Sequence, residues 1–329
     1  MNNYFKSLVT RKNEDGTYEN IIEEKHIDNL PNGDLLIRVE YSSLNYKDAL
    51  SASGAKGVTK TYPHTPGIDA AGIVQDSNDS EFPPGTSVIV TGFDLGMNTS
   101  GGFSQYIRVP SKWVVKCPDS LTTKDAMIIG TAGLTAGLAI DSIQKECNLN
   151  DSNVIVSGAT GGVGSIGLRL MSLIGANVTA ITGKMENEKF LFNLGASEII
   201  ERNNFIESTK SPLNKGTYNA AIDVVGGKIL SGIIASMKPN GIITVCGNVG
   251  GPEFYSTVFP FILRANRLIG IDSANCSIKR RKSIWENFSS DWKFDEITSM
   301  YRLVTLDGIV AEIEKILEGK QIGRILLEL

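Results

Sequence analysis

The chain is poor in the residues that most metal and acid–base chemistry uses. It has two histidines, His26 and His64, in 329 residues. A catalytic histidine or a cluster of imidazole ligands is therefore disfavoured. Its four cysteines, Cys117, Cys147, Cys246 and Cys276, form no Cys-x-x-Cys pair. That argues against a structural zinc knuckle and fits free thiols in a reducing compartment. Cys246 reads as a core residue, because nothing near it would lower its pKa. Neither sign of charge dominates: the formal net charge is −4, which leaves no nucleic-acid footprint. The one basic run, "KRRK" at Lys279 to Lys282, reads as a solvated loop or helix start before it reads as a binding patch. Long hydrophobic runs are scarce too. "MNNYFKSLVTRKNEDG" has no apolar core of signal-peptide length. The longest apolar stretch, Ala126 to Ile140, falls short of the roughly 20 residues that span a bilayer. The expectation is a buried helix in a cytoplasmic protein, with neither membrane nor nucleic acid as partner.

What is present is patterned. The first third is rich in short strand-like runs, "LLIRVEYSSL", "AAGIVQD", "TSVIVTG" and "SQYIRVPSKWVVKC", punctuated by Pro and Gly. From about Thr122 longer helical segments begin, and strands then alternate with helices: "NVIVSG", "NVTAITG", "SEIIE", "YNAAIDVVG" and "NGIITVCG". Such alternation predicts a parallel sheet with helices on both faces. The last sixty or so residues are mixed and end in the strand-like "GRILLEL".

The segment "VIVSGATGGVGSIGLRLMSLIGANVTAITGK", Val154 to Lys184, is a complete β-α-β unit with a glycine turn. Gly161 has no side chain to block a pyrophosphate, and Gly164 lets the helix pack against the strand. Ala159 stands where the first glycine of a G-x-G-x-x-G motif would be, and the turn would form around Gly158 or Gly161 instead. Thr160, Gly161, Gly162, Val163 and Gly164 would face the phosphates with free N–H groups and the positive end of the helix dipole. An acid at the end of the second strand would select NAD through the ribose 2′-hydroxyl. This chain has Thr182, Gly183 and Lys184, with Arg202 just after the next strand. These would receive a 2′-phosphate, so NADPH is the expected cofactor.

Carrying these motifs, the chain resembles the medium-chain dehydrogenase/reductase superfamily over nearly its whole length. It is most similar to the zinc-free branch of YhdH/YhfP-type quinone oxidoreductases and acryloyl-CoA reductases. The resemblance is carried by "YSSLNYKDAL", "PHTPGIDAAG", "AMIIGTAGLTA", "GATGGVGS" and "PFILRANRLIGIDS". It implies an α/β protein with a GroES-like, β-rich catalytic domain from residues 1–122 and 274–329. A Rossmann domain, with a doubly wound parallel sheet, would take 123–273. Zinc-dependent relatives place a cysteine ligand in the segment matching "SSLNYKD", where this chain has Asn45. They have Gly-His-Glu where it has Gly67-Ile68-Asp69, and they carry a four-cysteine lobe that is missing here. Zinc needs three or four ligands at about 2.0–2.3 Å, so no metal is expected.

Without zinc, hydride addition to an activated C=C or a quinone is the expected chemistry, the protein supplying orientation and electrostatics. Donors aimed at the carbonyl oxygen would stabilise the developing enolate, and a proton would then reach the α-carbon from an acid or water. By resemblance, Asn45 orients substrate or nicotinamide ribose, and Tyr46 touches the cofactor or donates to the substrate oxygen. The plainer alternatives are that Asn45 caps the following helix and Tyr46 is a packed aromatic. Lys47 and Asp48 read as a solvated or structural ion pair. The family pattern also places Thr131 by the nicotinamide or at a helix end, and Asn248 by the nicotinamide ribose and carboxamide. It places Ile262 and Ser273 at the nicotinamide end and Arg324 over the cofactor. "RANRLIGIDS" resembles an edge strand through which the family dimerises, so a homodimer is expected. The expected partner is a small molecule: an enoyl thioester, best acryloyl-CoA, or a quinone. "KRRK" and Arg264 are candidates for the phosphates of CoA. The rival from another class is a non-catalytic, NADPH-binding redox sensor.

Overall fold

The computed structural model describes residues 3–293 and 297–329. The chain divides into two compact units, Met1–Thr131 with Ser273–Leu329, and Ala132–Asp272. The first division therefore lies at 131/132 rather than 122/123, and the second at 272/273 rather than 273/274. The reason for the first is local. The helix Thr123–Gln144 is broken at Gly130, whose φ of 51° and ψ of −157° are not helical. The turns before the break belong to the first unit and those after it to the second. By length and composition this 22-residue helix is able to cross a membrane, yet 83% of its most apolar window is buried within the protein. It is a core helix, longer than its apolar stretch alone suggests.

The first unit opens with a hairpin of β1 (Tyr4–Lys12) and β2 (Tyr18–His26), closed by a turn with Gly16 at φ 86°. Five strands follow: β3 (Leu35–Leu44), β4 (Asp69–Ser77), β5 (Ser87–Thr91), β6 (Tyr106–Val109) and β7 (Val114–Lys116). Alternate residues of β3 face one side of a pleated strand. Leu35, Ile37 and Val39 meet Ala70, Val74, Val88, Val90, Ile107 and Val109 in one core.

The second unit holds β8 (Asn153–Val156), β9 (Asn177–Thr182), β10 (Ala196–Glu201), β11 (Tyr218–Asp223), β12 (Met237–Val245) and β13 (Arg267–Gly270). They form one sheet in the order β10-β9-β8-β11-β12-β13, with every pair parallel. This is the doubly wound order in which the connection reverses direction beside β8, opening a crevice at the carboxyl ends of β8 and β11. Apolar residues at Ile155, Ile181, Ala221 and Ile243 pack against Ile229, Leu230, Ile233 and Ile234 of the helix Gly227–Ala235.

The chain then returns to the first unit with β14 (Tyr301–Thr305) and β15 (Arg324–Glu328), extending its sheet to β14-β15-β3-β4-β5-β7, with β6 also paired to β3. Ile325 and Leu327 of β15 join Leu8, Leu44, Ala49 and Phe103 in a second core. That packing places Arg324 directly opposite the end of β3.

Candidate functional site

The glycine turn of the second unit is built from backbone. Gly158 takes φ 56°, so the turn pivots there rather than at Ala159. Gly161 sits at the cap position of the helix Gly162–Leu173 and offers no capping side chain. A Cβ added to it would meet only the carbonyl of Gly158, at 3.3 Å. Gly164 is different: its Cβ would lie 2.3 Å from the same oxygen. The close approach of helix and strand thus depends on Gly164, while Gly161 keeps the helix N-terminus bare for an anion. Gly162 and Val163 are half-buried on the first turn, and Thr160 is buried.

Below the turn, Asp223 ties two loops together. It accepts from Ser157 Oγ at 2.6 Å and from Gly226 N at 2.8 Å, while Ser157 Oγ in turn accepts from Val224 N at 3.0 Å. Burial raises the Asp223 pKa. Burial also pushes the nearby Cys246 thiol up to about 12, although the residue as a whole is half-buried and not part of the core.

The end of β9 gathers the expected basic groups. Thr182 is buried, its hydroxyl accepting from Lys184 N at 3.0 Å and lying 3.4 Å from Thr160 Oγ1. Gly183 is exposed, and a Cβ there would stand 3.0 Å from Cζ of Arg202. The guanidinium therefore lies over a bare backbone, beside Lys184. Burial lowers the Lys184 pKa, Glu186 opposes that shift, and the neighbouring Arg202 adds to it. Two cations face the end of a strand that carries no carboxylate, an arrangement that fits a phosphate monoester.

The remaining expected residues of this unit lie on its surface. Asn248 is exposed in the loop after β12. Ile262 is 68% exposed on the helix Phe259–Arg264. Arg264 is tied to backbone, donating to Ala235 O at 3.0 Å, to Met237 O at 2.6 Å and to Asn214 O.

In the first unit, three expected residues converge on one that sequence reasoning passed over. Asp69, fully buried, accepts at Oδ2 from Ser43 Oγ (2.7 Å), Asn45 Nδ2 (2.8 Å) and Thr131 N (2.9 Å). At Oδ1 it accepts from Thr131 Oγ1 at 2.5 Å. Arg324, 1% exposed, approaches Oδ2 to 3.9 Å and donates to Ser43 Oγ (2.8 Å), Asn45 Oδ1 (3.2 Å), Leu44 O (3.3 Å) and Ile128 O (3.0 Å). Its guanidinium is thus committed to the interior, not laid over a ligand. Asn45 gives its amide hydrogens to Asp69 and to Ser43 O at 3.2 Å. Its backbone position begins the helix Tyr46–Ala52. Ser273 is half-buried and offers its carbonyl to the buried Arg281.

Asp48 does not pair with Lys47. It turns inward and accepts from Asn45 N at 2.8 Å and Ile68 N at 2.7 Å. Burial, helped by the charge of Asp69, raises its pKa to about 7. Tyr46, 36% exposed, is left on the surface at the start of the same helix. The signal for Asp69 was available in "PGID", which stands where zinc-dependent relatives have Gly-His-Glu. The "KRRK" run likewise disperses on a helix, Ile278–Ser289. Arg281 is buried against Thr91 and the ring of Phe93, and Lys282 pairs with Glu81 at 3.1 Å. Among the described residues no group of three or more His, Cys, Asp or Glu is arranged to hold a metal ion.

A doubly wound sheet with a bare glycine turn, joined in one chain to a β-rich unit with a buried polar cluster, defines a dehydrogenase-type oxidoreductase. Residues 31–119 match the alcohol dehydrogenase GroES-like domain, and 162–290 match the zinc-binding dehydrogenase family. The acrylyl-CoA reductase AcuI of Ruegeria pomeroyi is 36% identical over 98% of this chain and 99% of its own length. The YhdH oxidoreductase of Salmonella enterica, solved with NADP, is 35% identical with a TM-score of 0.95, covering 98% of this chain and 99% of its own. YhfP of Bacillus subtilis, solved with NAD, is 38% identical, also at 0.95, over 99% of both chains. The chain belongs to the medium-chain dehydrogenase/reductase superfamily, in the zinc-free branch of quinone oxidoreductases and acrylyl-CoA reductases.

Proposed function

We propose that this oxidoreductase uses NADPH to reduce activated carbon–carbon double bonds, with acryloyl-CoA, reduced to propanoyl-CoA, as the best substrate. The observation that carries the cofactor choice is the Arg202 guanidinium over Gly183, beside Lys184, with no acid at the end of β9. In this reading Thr160 to Gly164 receive the pyrophosphate on backbone N–H groups, and Lys184 and Arg202 hold the 2′-phosphate. Asn248, Ile262 and Ser273 belong to the nicotinamide side. NADPH, when bound, would supply the hydride taken up at the β-carbon, with solvent supplying the proton to the α-carbon. Tyr46, exposed at a helix start, donates its phenolic hydrogen toward the carbonyl oxygen where negative charge develops. Asn45 and Arg324 contribute by holding the wall behind it, because their polar groups are already engaged. Full-length similarity to an acrylyl-CoA reductase supports the substrate class.

Quinone reduction is the second reading. One observation favours it: of the basic groups considered for CoA phosphates, Arg264 and Arg281 are tied to groups within the protein and Lys282 pairs with Glu81. We place the enzyme in the cytoplasm as a homodimer. Strand β13 is the outer strand of its sheet, and Val258, Phe259, Ile262 and Leu263 just before it are exposed apolar residues. Pairing two copies would cover them.

The test is oxidation of NADPH followed by absorbance, with acryloyl-CoA in one reaction, a small quinone in another, and NADH as the control. Turnover of acryloyl-CoA with NADPH and little with NADH is the expected result. Turnover with quinone alone moves the assignment to the second reading. Light scattering at a mass near 35.5 kDa would overturn the dimer.

A further inference from the structure

We propose that Asp69 is a positioning residue: its carboxylate orients the Thr131 hydroxyl so that this side chain meets a bound reactant as a hydrogen-bond acceptor only. The inference goes beyond the proposed function but rests on its premise that a reactant binds beside this cluster. An ionised carboxylate accepts and cannot donate, whereas a hydroxyl has one hydrogen and two lone pairs. The Asp69 carboxyl receives four donors, with the Arg324 guanidinium 3.9 Å away. The Thr131 hydrogen must therefore point inward along the 2.5 Å contact to Oδ1. With that hydrogen committed, the hydroxyl of this half-buried residue can meet any further donor only as an acceptor, which suits an amide or hydroxyl donor on the ligand.

The polarity is fixed from the other end as well. Arg324 donates to Ser43 Oγ and to Asn45 Oδ1, and each of these side chains passes a hydrogen on to Asp69. The Asn45 amide is thereby held in one of its two flips. The backbone is shaped to match. Gly130 leaves the helix at the residue before Thr131, and a Cβ there would lie 2.6 Å from Asp69 Oδ2, 2.7 Å from Arg324 Nη2 and 2.7 Å from Ser43 Oγ. The break delivers both the N–H and the hydroxyl of Thr131 to one carboxylate. The N–H bond alone would be helix capping; the hydroxyl is the additional element, and it separates a positioning role from a structural one.

Four variants test this: Thr131→Ser, Thr131→Val, Asp69→Asn and the double variant D69N/T131V. The readouts are NADPH affinity by titration of nicotinamide fluorescence, and kcat/KM with acryloyl-CoA and with a small quinone. Thr131→Ser should stay within about twofold of wild type, while Thr131→Val and Asp69→Asn should each lose about tenfold in at least one readout. The double variant should fall no further than the worse single one, because both changes break the same link. Multiplying losses, or wild-type values for Thr131→Val, would overturn the proposal. If Asp69→Asn lacks a cooperative thermal transition, the contrast between Thr131→Val and Thr131→Ser decides alone. A wild-type protein that neither binds NADPH nor turns over either substrate would sink the functional reading instead. Hydrogen exchange of the peptide 126–136 in the ligand-free protein would still test the contact. Exchange at the Thr131 amide should quicken in Asp69→Asn, and unchanged exchange would overturn it.

Discussion

The two polar regions of this protein solve opposite problems. The turn from Gly158 to Gly164 exposes backbone donors by removing side chains, and at Gly164 even one added carbon would lie 2.3 Å from a carbonyl oxygen. The cluster of Ser43, Asn45, Asp69, Thr131 and Arg324 buries charge and accounts for nearly every donor with a side-chain or backbone acceptor. The first needs space; the second needs partners. A region built on absence is disturbed by adding atoms, and a region built on pairing is disturbed by removing them.

The largest effect should come from breaking the pairing. Arg324→Leu leaves Asp69 and Asp48 buried without their cation. Removing one partner of a buried ion pair costs about 3–5 kcal/mol, far more than the pair itself contributes. Chemical denaturation should show that loss, and a loss below about 1 kcal/mol would mean that water reaches the cluster. Gly164→Ala adds a single carbon to the other region, 2.3 Å from a backbone oxygen that cannot step aside. Overpacking of this kind costs about 1–3 kcal/mol, and NADPH affinity should fall with it. Gly161→Ala, whose nearest contact is 3.3 Å, should change stability far less. If the two alanines behaved alike, the distinction between a packing glycine and a ligand-facing glycine would fail.

Asp48 sharpens the comparison through pH. Its pKa is raised to about 7, chiefly by burial and next by the charge of Asp69. An unfolded aspartate titrates near 3.9. Between these values the folded state holds the proton more tightly, so this residue makes stability fall as pH rises from about 4 to about 7. The slope is at most about 1.4 kcal/mol per pH unit. Burial shifts His64 the other way, lowering its pKa, and that contribution has the opposite sign. The comparison of wild type with Asp48→Asn isolates the carboxyl. The variant loses an acceptor for Asn45 N or Ile68 N at every pH, but its stability should decline less between pH 5 and 7. Parallel curves would show that Asp48 is already ionised at pH 5.

The two regions also differed in how far they were legible beforehand. Glycine turns announce themselves because a missing side chain is a local property: Gly161, Gly164 and Gly183 stand where the β-α-β spacing puts them. The alternating middle of the chain gave the parallel sheet for the same reason. The buried cluster joins residues 43, 45, 69, 131 and 324, and nothing in the spacing of a single chain reports such a meeting. The family resemblance places Arg324 of "GRILLEL" over the cofactor and Asn45 of "LNYKD" by the substrate or nicotinamide ribose. Their polar groups turned inward because the carboxylate of Asp69 lay between them. "KRRK" reads first as a solvated loop or helix start, and a helix does begin there; it points the four cations about 100° apart, and Arg281 went to the core.

The smallest effects should belong to the basic end of β9, which combines both principles: a bare glycine with the Arg202 guanidinium over it and Lys184 beside that. Lys184 is half-buried and Arg202 is exposed, so solvent screens each charge. Lys184→Ala and Arg202→Ala should each weaken NADPH binding by about fivefold to tenfold while leaving NADH binding nearly unchanged, since only the former carries the 2′-phosphate. The two losses should shrink together as salt rises, because the attraction is Coulombic. Loss of both nucleotides in equal measure would mean that the two side chains support the loop after β9 and do not read the phosphate. A gain in NADH binding on placing an acid at Gly183 would come only from a change of partner, the ribose hydroxyl replacing the phosphate. Fluorescence titration of the two nucleotides at two salt concentrations separates these outcomes, and it bears on the cofactor alone, whichever substrate the enzyme takes.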